Sequence, residues 1–369
     1  MKHVSVCVIG IGTLLLSGCQ TTKVGPRALK SSHSAYNQAL ITTLDEQLLT
    51  NIVRLRYRDN PVFLEANTIT QSNKASGSLG LEFSKTFLGR PSNGAYNGTG
   101  GIKPSMGCED GSQIVLKPLT GNEFIKKLMT PIQNPILISM IQSGWRADRV
   151  FNLCVERINN LYNAPTASGP TPTYAPEYAK FYRFTELLRT FQRNNLINFG
   201  EQPDVNFADL MLRVVENPLF AKEIKEFKTL ANLNPNLNEF KFKSSFLEMS
   251  PKKLTIRARS LLGIFFFLSQ GVEVPKEDET QGLVTVTQNL DGSKFDWNTL
   301  STRFLTIHCS TSKIKPNNAY VACHYRNRWF FIADNDLESK TSFMLLNQIF
   351  TLQSSKYKAS DPILVLSGS

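Results

Sequence analysis

Residues 319–333 read Ala-Tyr-Val-Ala-Cys-His-Tyr-Arg-Asn-Arg-Trp-Phe-Phe-Ile-Ala, and this stretch decides the fold class. Residues 319–325 and 329–333 are rich in aromatic and β-branched side chains and have the length of strands. Further strand-like runs lie at 282–287, 304–309 and 363–366, with one helical run at 340–352 behind Ser339 as its cap. Several strands with a single packed helix predict a small α+β domain over residues 271–369, built on an antiparallel sheet.

Upstream of residue 271 the pattern becomes helical with a few strands. Residues 43–58 open with Thr43-x-x-Glu46, which fits a capping box, with Asp45 and Glu46 suited to a helix N-terminus. Leu44, Leu48, Ile52 and Leu55 form one apolar stripe at helical spacing. Arg54, Arg56 and Arg58 crowd the last turns, and Pro61 ends the helical run. These arginines are either a surface that complements the helix dipole or a contact site for a partner or glycan.

Residues 62–71 and 76–88 read as strands around a turn at 72–75. Residues 89–112 hold seven glycines and Cys108 and read as a long irregular loop, because no Gly-Lys-Ser/Thr closes them into a phosphate cradle. Helices are expected at 122–129, 135–143, 145–159, 177–194, 207–216, 221–231 and 250–269, with a strand at 239–248. The last of these helices takes Ser250-Pro251 as its start. Its apolar run at 261–268 is far below the ~18 residues of a membrane span, so it reads as a buried core helix. Four prolines make residues 164–176 a linker. The expected fold class is therefore α+β, with a helical N-terminal and central part carrying a few strands and a C-terminal antiparallel sheet packed on one helix. The expected regions are 35–163, 177–270 and 271–369.

The first nineteen residues set the location. A cationic head, Met1-Lys2-His3, precedes a short apolar core at residues 4–16. Together these make a secretory signal peptide, too short to span ~30 Å of hydrocarbon. Leu16-Ser17-Gly18-Cys19 resembles the lipobox of bacterial lipoproteins, which implies removal of residues 1–18 and lipidation of Cys19. Gln20 in the next position is similar to an outer-membrane sorting signal. Residues 19–34, with Gly25-Pro26, read as a flexible tether.

The formal charge is +11, and residues 271–369 are neutral, so the basic excess belongs to the region before them. A basic body can meet lipid head groups, polyanionic glycan or acidic proteins, or it is simply a solvated surface. Nucleic acid is not an expected partner. Cys108, Cys154, Cys309 and Cys323 remain beyond Cys19, an even number that suits an oxidising compartment.

His308-Cys309 and Cys323-His324 are mirror images about Pro316. A hairpin centred there sets Cys309 opposite Cys323. Neighbours on a strand point to opposite faces, so two cysteines and two histidines do not converge on one zinc ion. A Cys309–Cys323 disulfide is the simpler reading, with free thiols as the alternative, and Cys108–Cys154 would pair by elimination. No His-Glu-x-x-His or Gly-x-Ser-x-Gly occurs, and Asp334-Asn335-Asp336 reads as a turn rather than a calcium loop. No catalytic residue, metal ligand or cofactor is assigned.

Several stretches are similar to a family of bacterial outer-membrane lipoproteins without an assigned activity. They include Glu46-Gln47-Leu48-Leu49, Asn51-Ile52-Val53-Arg54-Leu55-Arg56-Tyr57-Arg58-Asp59, Ser143-Gly144-Trp145, Cys154-Val155-Glu156-Arg157-Ile158-Asn159 and Leu268-Ser269-Gln270-Gly271-Val272-Glu273-Val274-Pro275. The resemblance spans nearly the whole mature chain and brings no catalytic residues with it. Lipoproteins of this general sort also serve in the outer-membrane complexes of type IV secretion systems. The expectation is a lipid-anchored periplasmic protein at the outer membrane, acting as a structural or docking subunit of an envelope assembly such as a type IV secretion core complex. The alternative is a periplasmic protein binding glycan or lipopolysaccharide, or a cell-envelope enzyme with an unrecognised active site.

Overall fold

The computed structural model describes residues 26–83, 100–118, 122–202, 209–301 and 304–354. The signal peptide, Cys19, the loop at 89–99 and the strand expected at 363–366 lie outside the described residues. The fold is α+β. In chain order the elements are α1 (Pro26–Arg56), β1 (Leu64–Phe83), β2 (Gly100–Pro118), α2 (Asn122–Met129), α3 (Asn134–Gln142), α4 (Ala147–Cys154), β3 (Val155–Ile158) and β4 (Leu161–Tyr162). Next come α5 (Ala179–Arg193), β5 (Ile197–Gln202), β6 (Asp209–Val214), α6 (Ala221–Leu230), β7 (Glu239–Lys243), β8 (Lys253–Ala258) and α7 (Leu261–Ser269). The chain continues through α8 (Lys276–Thr280), α9 (Asn298–Ser301), β9 (His308–Ser310), β10 (Ala319–Tyr325), β11 (Arg328–Ala333) and α10 (Leu337–Ser354).

Two compact units divide the chain. The first takes the residues up to Ile41 together with Leu64–Pro118. Its β1 and β2 form a long antiparallel ribbon running from Leu64 opposite Pro118 to Phe83 opposite Gly100. Residues 72–75, expected as a turn, lie in mid-strand, with Lys74 opposite Glu109. Residues 100–112, expected within the glycine loop, are the partner strand. The tether also differs, because it is helical from Pro26 onward. Pro26 suits a first helical position, and no glycine follows it in that stretch.

The second unit holds Thr42–Phe63 and Leu119–Ser369. Its core begins with the stripe of α1: Leu48, Ile52 and Leu55 are buried, joined by Leu49 and Val53. A mixed six-stranded sheet has the order β4-β3-β8-β7-β6-β5. Only the β7–β8 pair is parallel. One face of the sheet is apolar, and Phe242, Leu254 and Ile256 meet Phe151 of α4 with Phe184 and Leu188 of α5. This sheet takes the place of the helix expected at 207–216, of the end of the one expected at 145–159 and of the start of the one expected at 250–269. Residues 209–214 alternate, with Leu212 and Val214 buried, and pair on both sides. Residues 253–258 form a strand between β3 and β7, so α7 starts only at Leu261, with the Ser260 hydroxyl accepting from the Gly263 N–H at 3.1 Å. The supposed linker at 164–176 is built into this unit, since Ala164, Ala167 and Thr171 are buried.

The C-terminal antiparallel sheet has the order β10-β11-β9. It packs on α10, with the Tyr320 ring edge-on to Phe343 at 6.3 Å. Helix α10 begins at Leu337, three residues earlier than expected. Asp336 is the cap, accepting from the Ser339 backbone N–H at 3.0 Å and from its hydroxyl at 2.5 Å. Asp336→Ala should therefore lower stability by about 1 kcal/mol in urea unfolding, and Asp336→Asn by less.

Candidate functional site

Helix α1 ends in a turn that shapes the surface beside it. The Asp59 N–H donates to the Arg54 carbonyl at 2.9 Å, and Arg58 sits in the left-handed region with φ 60°. The chain then runs through residues 60–63, held flat by Asn51. The Asn51 side chain donates to the Val62 carbonyl at 2.8 Å and accepts from the Val62 N–H at 2.9 Å. This turns Phe63 inward, where it stacks on Phe350 at 5.4 Å and meets Phe124 and Phe265 edge-on.

Between this segment and helices α2 and α7 lies an open groove of about 650 Å³. Val62, Phe63, Phe124, Leu128, Leu262 and Phe266 are among its lining residues. Ile125 and Met129 line it too and stand 45% and 63% exposed. Arg58, Asp59 and Asn60 supply the polar part of the lining. The Asp59 carboxylate accepts from the Tyr325 hydroxyl and from Arg326 at 3.1 Å, which holds it below the ordinary aspartate value. Arg326 in turn lies over the Tyr57 ring at 4.8 Å, while the Tyr57 hydroxyl donates to buried Asp278 at 2.6 Å. Burial, and then this bond, raise the Tyr57 phenol above its usual value. The Asp59 carboxylate is thus held in place by Tyr325 of β10 and by Arg326 in the turn that follows it.

The three candidate arginines do not form one contact surface. Arg56 is buried and donates to the Thr285 carbonyl at 3.2 Å, and burial lowers its guanidinium below the usual value. The 3.6-residue period sets Arg56 on the inner side of α1 with Leu49 and Ile52, whereas Arg58 lies past the helix end. Arg54 donates to the Asn60 carbonyl at 2.6 Å, and Arg58 remains exposed in the groove lining.

The cysteine pairing is also corrected. Strand β11 lies between β9 and β10, so Phe330 faces Cys309 on one side and Cys323 on the other. Two inter-strand steps of ~4.8 Å put the cysteines beyond disulfide reach. Cys154, Cys309 and Cys323 are free thiols, and the expected Cys108–Cys154 pairing turns on a Cys108 side chain that lies outside what is described. Burial pushes Cys309 up to about 11 and Cys323 and Cys154 up to about 12, which keeps all three protonated and poor nucleophiles at neutral pH. His308 and His324 are likewise parted by β11. His308 Nδ1 lies 3.0 Å from Glu273, and His324 packs on Trp329. Among the described residues no group of three His, Cys, Asp or Glu side chains is placed to hold a metal ion.

The groove was not read from the sequence, although a signal is there. Asn122–Met129 carries Phe124 and Leu128 on one stripe and Ile125 and Met129 on the next. That is a wider apolar face than one core contact requires. Comparison with protein-family models, curated proteins and solved structures finds no match.

Proposed function

We propose that this chain is a lipid-anchored protein of the bacterial envelope, held at the outer membrane by acyl chains on Cys19 with its body in the periplasm. Its role is that of a structural or docking subunit in a larger outer-membrane assembly, such as a type IV secretion core complex. The observation that carries the docking role is the apolar groove beside the end of α1, open to solvent along Val62, Ile125 and Met129. A groove walled by two helices suits the apolar face of a partner's helix, with Arg58 and Asp59 fixing its register. The lipobox-like Leu16-Ser17-Gly18-Cys19 supports the anchor.

Affinity purification from solubilised membranes tests both parts. The wild type should co-purify with a stoichiometric partner, and Ile125→Asp with Met129→Asp should lose it. Both positions are exposed, so each change should move stability by only about 0.5 kcal/mol. A partner retained by folded double-variant protein would sink the groove as its docking site. Isolation as a monomer that binds peptidoglycan or lipopolysaccharide would favour a glycan-binding role instead. Cys19→Ser should abolish acyl labelling and release the protein from membranes, and persistent labelling would overturn the anchor.

A further inference from the structure

The β1–β2 ribbon sorts its residues by face. From Thr68 opposite Val115 to Phe83 opposite Gly100 the register runs without a shift, so alternate positions share a face. Residues 74–83 and 100–109 include four charged residues, Lys74, Glu82, Lys103 and Glu109. All four fall on one face, which is completed by Ser76, Ser78, Ser105 and glycines. The other face carries Leu79, Leu81, Phe83, Ile102, Met106 and Cys108, with only Ala, Gly and Pro between them. Over residues 75–83 and 100–108 that face has no charged, hydroxyl or amide residue.

This apolar band is bounded. On the same face it stops at Asn73 opposite Asp110, and Gln71 opposite Ser112 follows. Its far end carries the aromatic Phe83. Nine residues of each strand, 75–83 and 100–108, make up the band. A strand crosses the hydrocarbon of a bilayer in ~9–11 residues, alternating apolar and polar positions, with aromatic residues at the interfaces. Among the described residues β1 and β2 pair only with each other, so both outer edges of the ribbon are open. Lipid tolerates no open edge, and two strands cannot close on themselves. At two strands per chain, the ~8 strands of the smallest barrels need about four copies.

We propose that copies of this chain join their β1–β2 ribbons edge to edge and close a β-barrel through the outer membrane. The apolar face meets lipid, and the face of Lys74, Glu82, Lys103 and Glu109 lines a water-filled lumen. Pro104 takes one donor from β2, so the ladder lacks one hydrogen bond there. A partner protein laid on the apolar face is a poorer fit, because it would leave both edges open. The proposal rests on the reading of Cys19 as the lipid-bearing residue, which delivers the ribbon to the outer membrane.

The test uses the full-length protein purified from solubilised membranes and reconstituted into planar lipid bilayers. The wild type should give stepwise conductance. Two neighbouring positions then receive the same charge on opposite faces. Leu79→Arg, at the middle of the apolar band, should lower the inserted fraction about 30-fold or more. Ser78→Arg should still insert and should shift the reversal potential toward anions, while Lys103→Glu should shift it toward cations. Each variant is compared as protein whose urea transition, read by tryptophan fluorescence, matches the wild type. No conductance from the wild type, equal insertion of the two arginine variants, or selectivity indifferent to Ser78→Arg and Lys103→Glu would overturn the proposal. A non-conducting wild type that loses a co-purifying protein on Leu79→Arg would give the face to that partner instead. Acyl labelling reads the anchor separately. Labelled protein without conductance removes the barrel and leaves the anchor, and conductance by unlabelled wild type does the reverse.

Discussion

Arg259→Met should destabilise the second unit by about 2 kcal/mol or more, at ~1 kcal/mol or more for each of the Leu153 and Asn163 carbonyls, since the Asn152 and Val155 carbonyls keep the Asn163 side-chain amide as a donor. The residue is 1% exposed and has no carboxylate in hydrogen-bond contact. Its guanidinium instead donates to the carbonyls of Asn152 at 3.1 Å, Leu153 at 3.2 Å, Val155 at 2.9 Å and Asn163 at 2.5 Å, and to the Ser168 hydroxyl at 3.0 Å. The first two belong to the last turn of α4, where a cation also meets the negative end of the helix dipole. The plane lies over the Phe267 ring at 4.0 Å. Arg259→Lys keeps the charge but not the fork or the stacking, so it should fall between wild type and the methionine variant. Urea unfolding followed by tryptophan fluorescence gives the ranking, and a methionine variant within ~1 kcal/mol of wild type would refute it.

The pH dependence follows from burial. Desolvation lowers the folded-state value of Arg259 to about 10, well below that of a free guanidinium. Below that, folded and unfolded chains both carry the proton, so the loss in Arg259→Met should stay constant through the neutral range. Above about 10 the unfolded chain binds more protons, and this group's contribution to stability rises with pH.

Phe63→Ala should cost about 3–5 kcal/mol. Phe63 is 4% exposed and touches three aromatic rings from α2, α7 and α10. Ring pairs of this kind contribute ~0.5–1.5 kcal/mol beyond area burial. The same ring lines the groove, so truncation widens the groove as it loosens the core. Phe63→Leu should recover more than half the loss. Thermal unfolding of the three proteins measures this, and an alanine variant melting with wild type would show that the cluster collapses to fill the space.

What the sequence made legible was local. Residues 319–325 and 122–129 form the elements their patterns predict, because the period and length of each suffice. The apolar stripe of α1 faces the core as expected. Failures came where distant partners decide. Residues 253–258 look like the start of a helix until β3 and β7 flank them, and β3 comes from about a hundred residues earlier. Cys309 and Cys323 look like neighbours because the intervening chain looks like a hairpin. The strand that separates them follows both in sequence. Arg56 was grouped with Arg54 and Arg58 by proximity along the chain, although helical geometry sends it inward. The groove was hidden for the same reason, since its walls come from three separated segments.

The pairing of β3 with β8 governs how the chain can be made. Val155 finds Ala258 only after roughly a hundred further residues have been delivered. During synthesis or translocation from the N-terminal end, α4 and β3 therefore wait with a strand edge unfilled and with the α4 carbonyls lacking Arg259. Closing that long loop is entropically slow. Truncation anywhere before residue 258 should therefore yield aggregates rather than a smaller folded body.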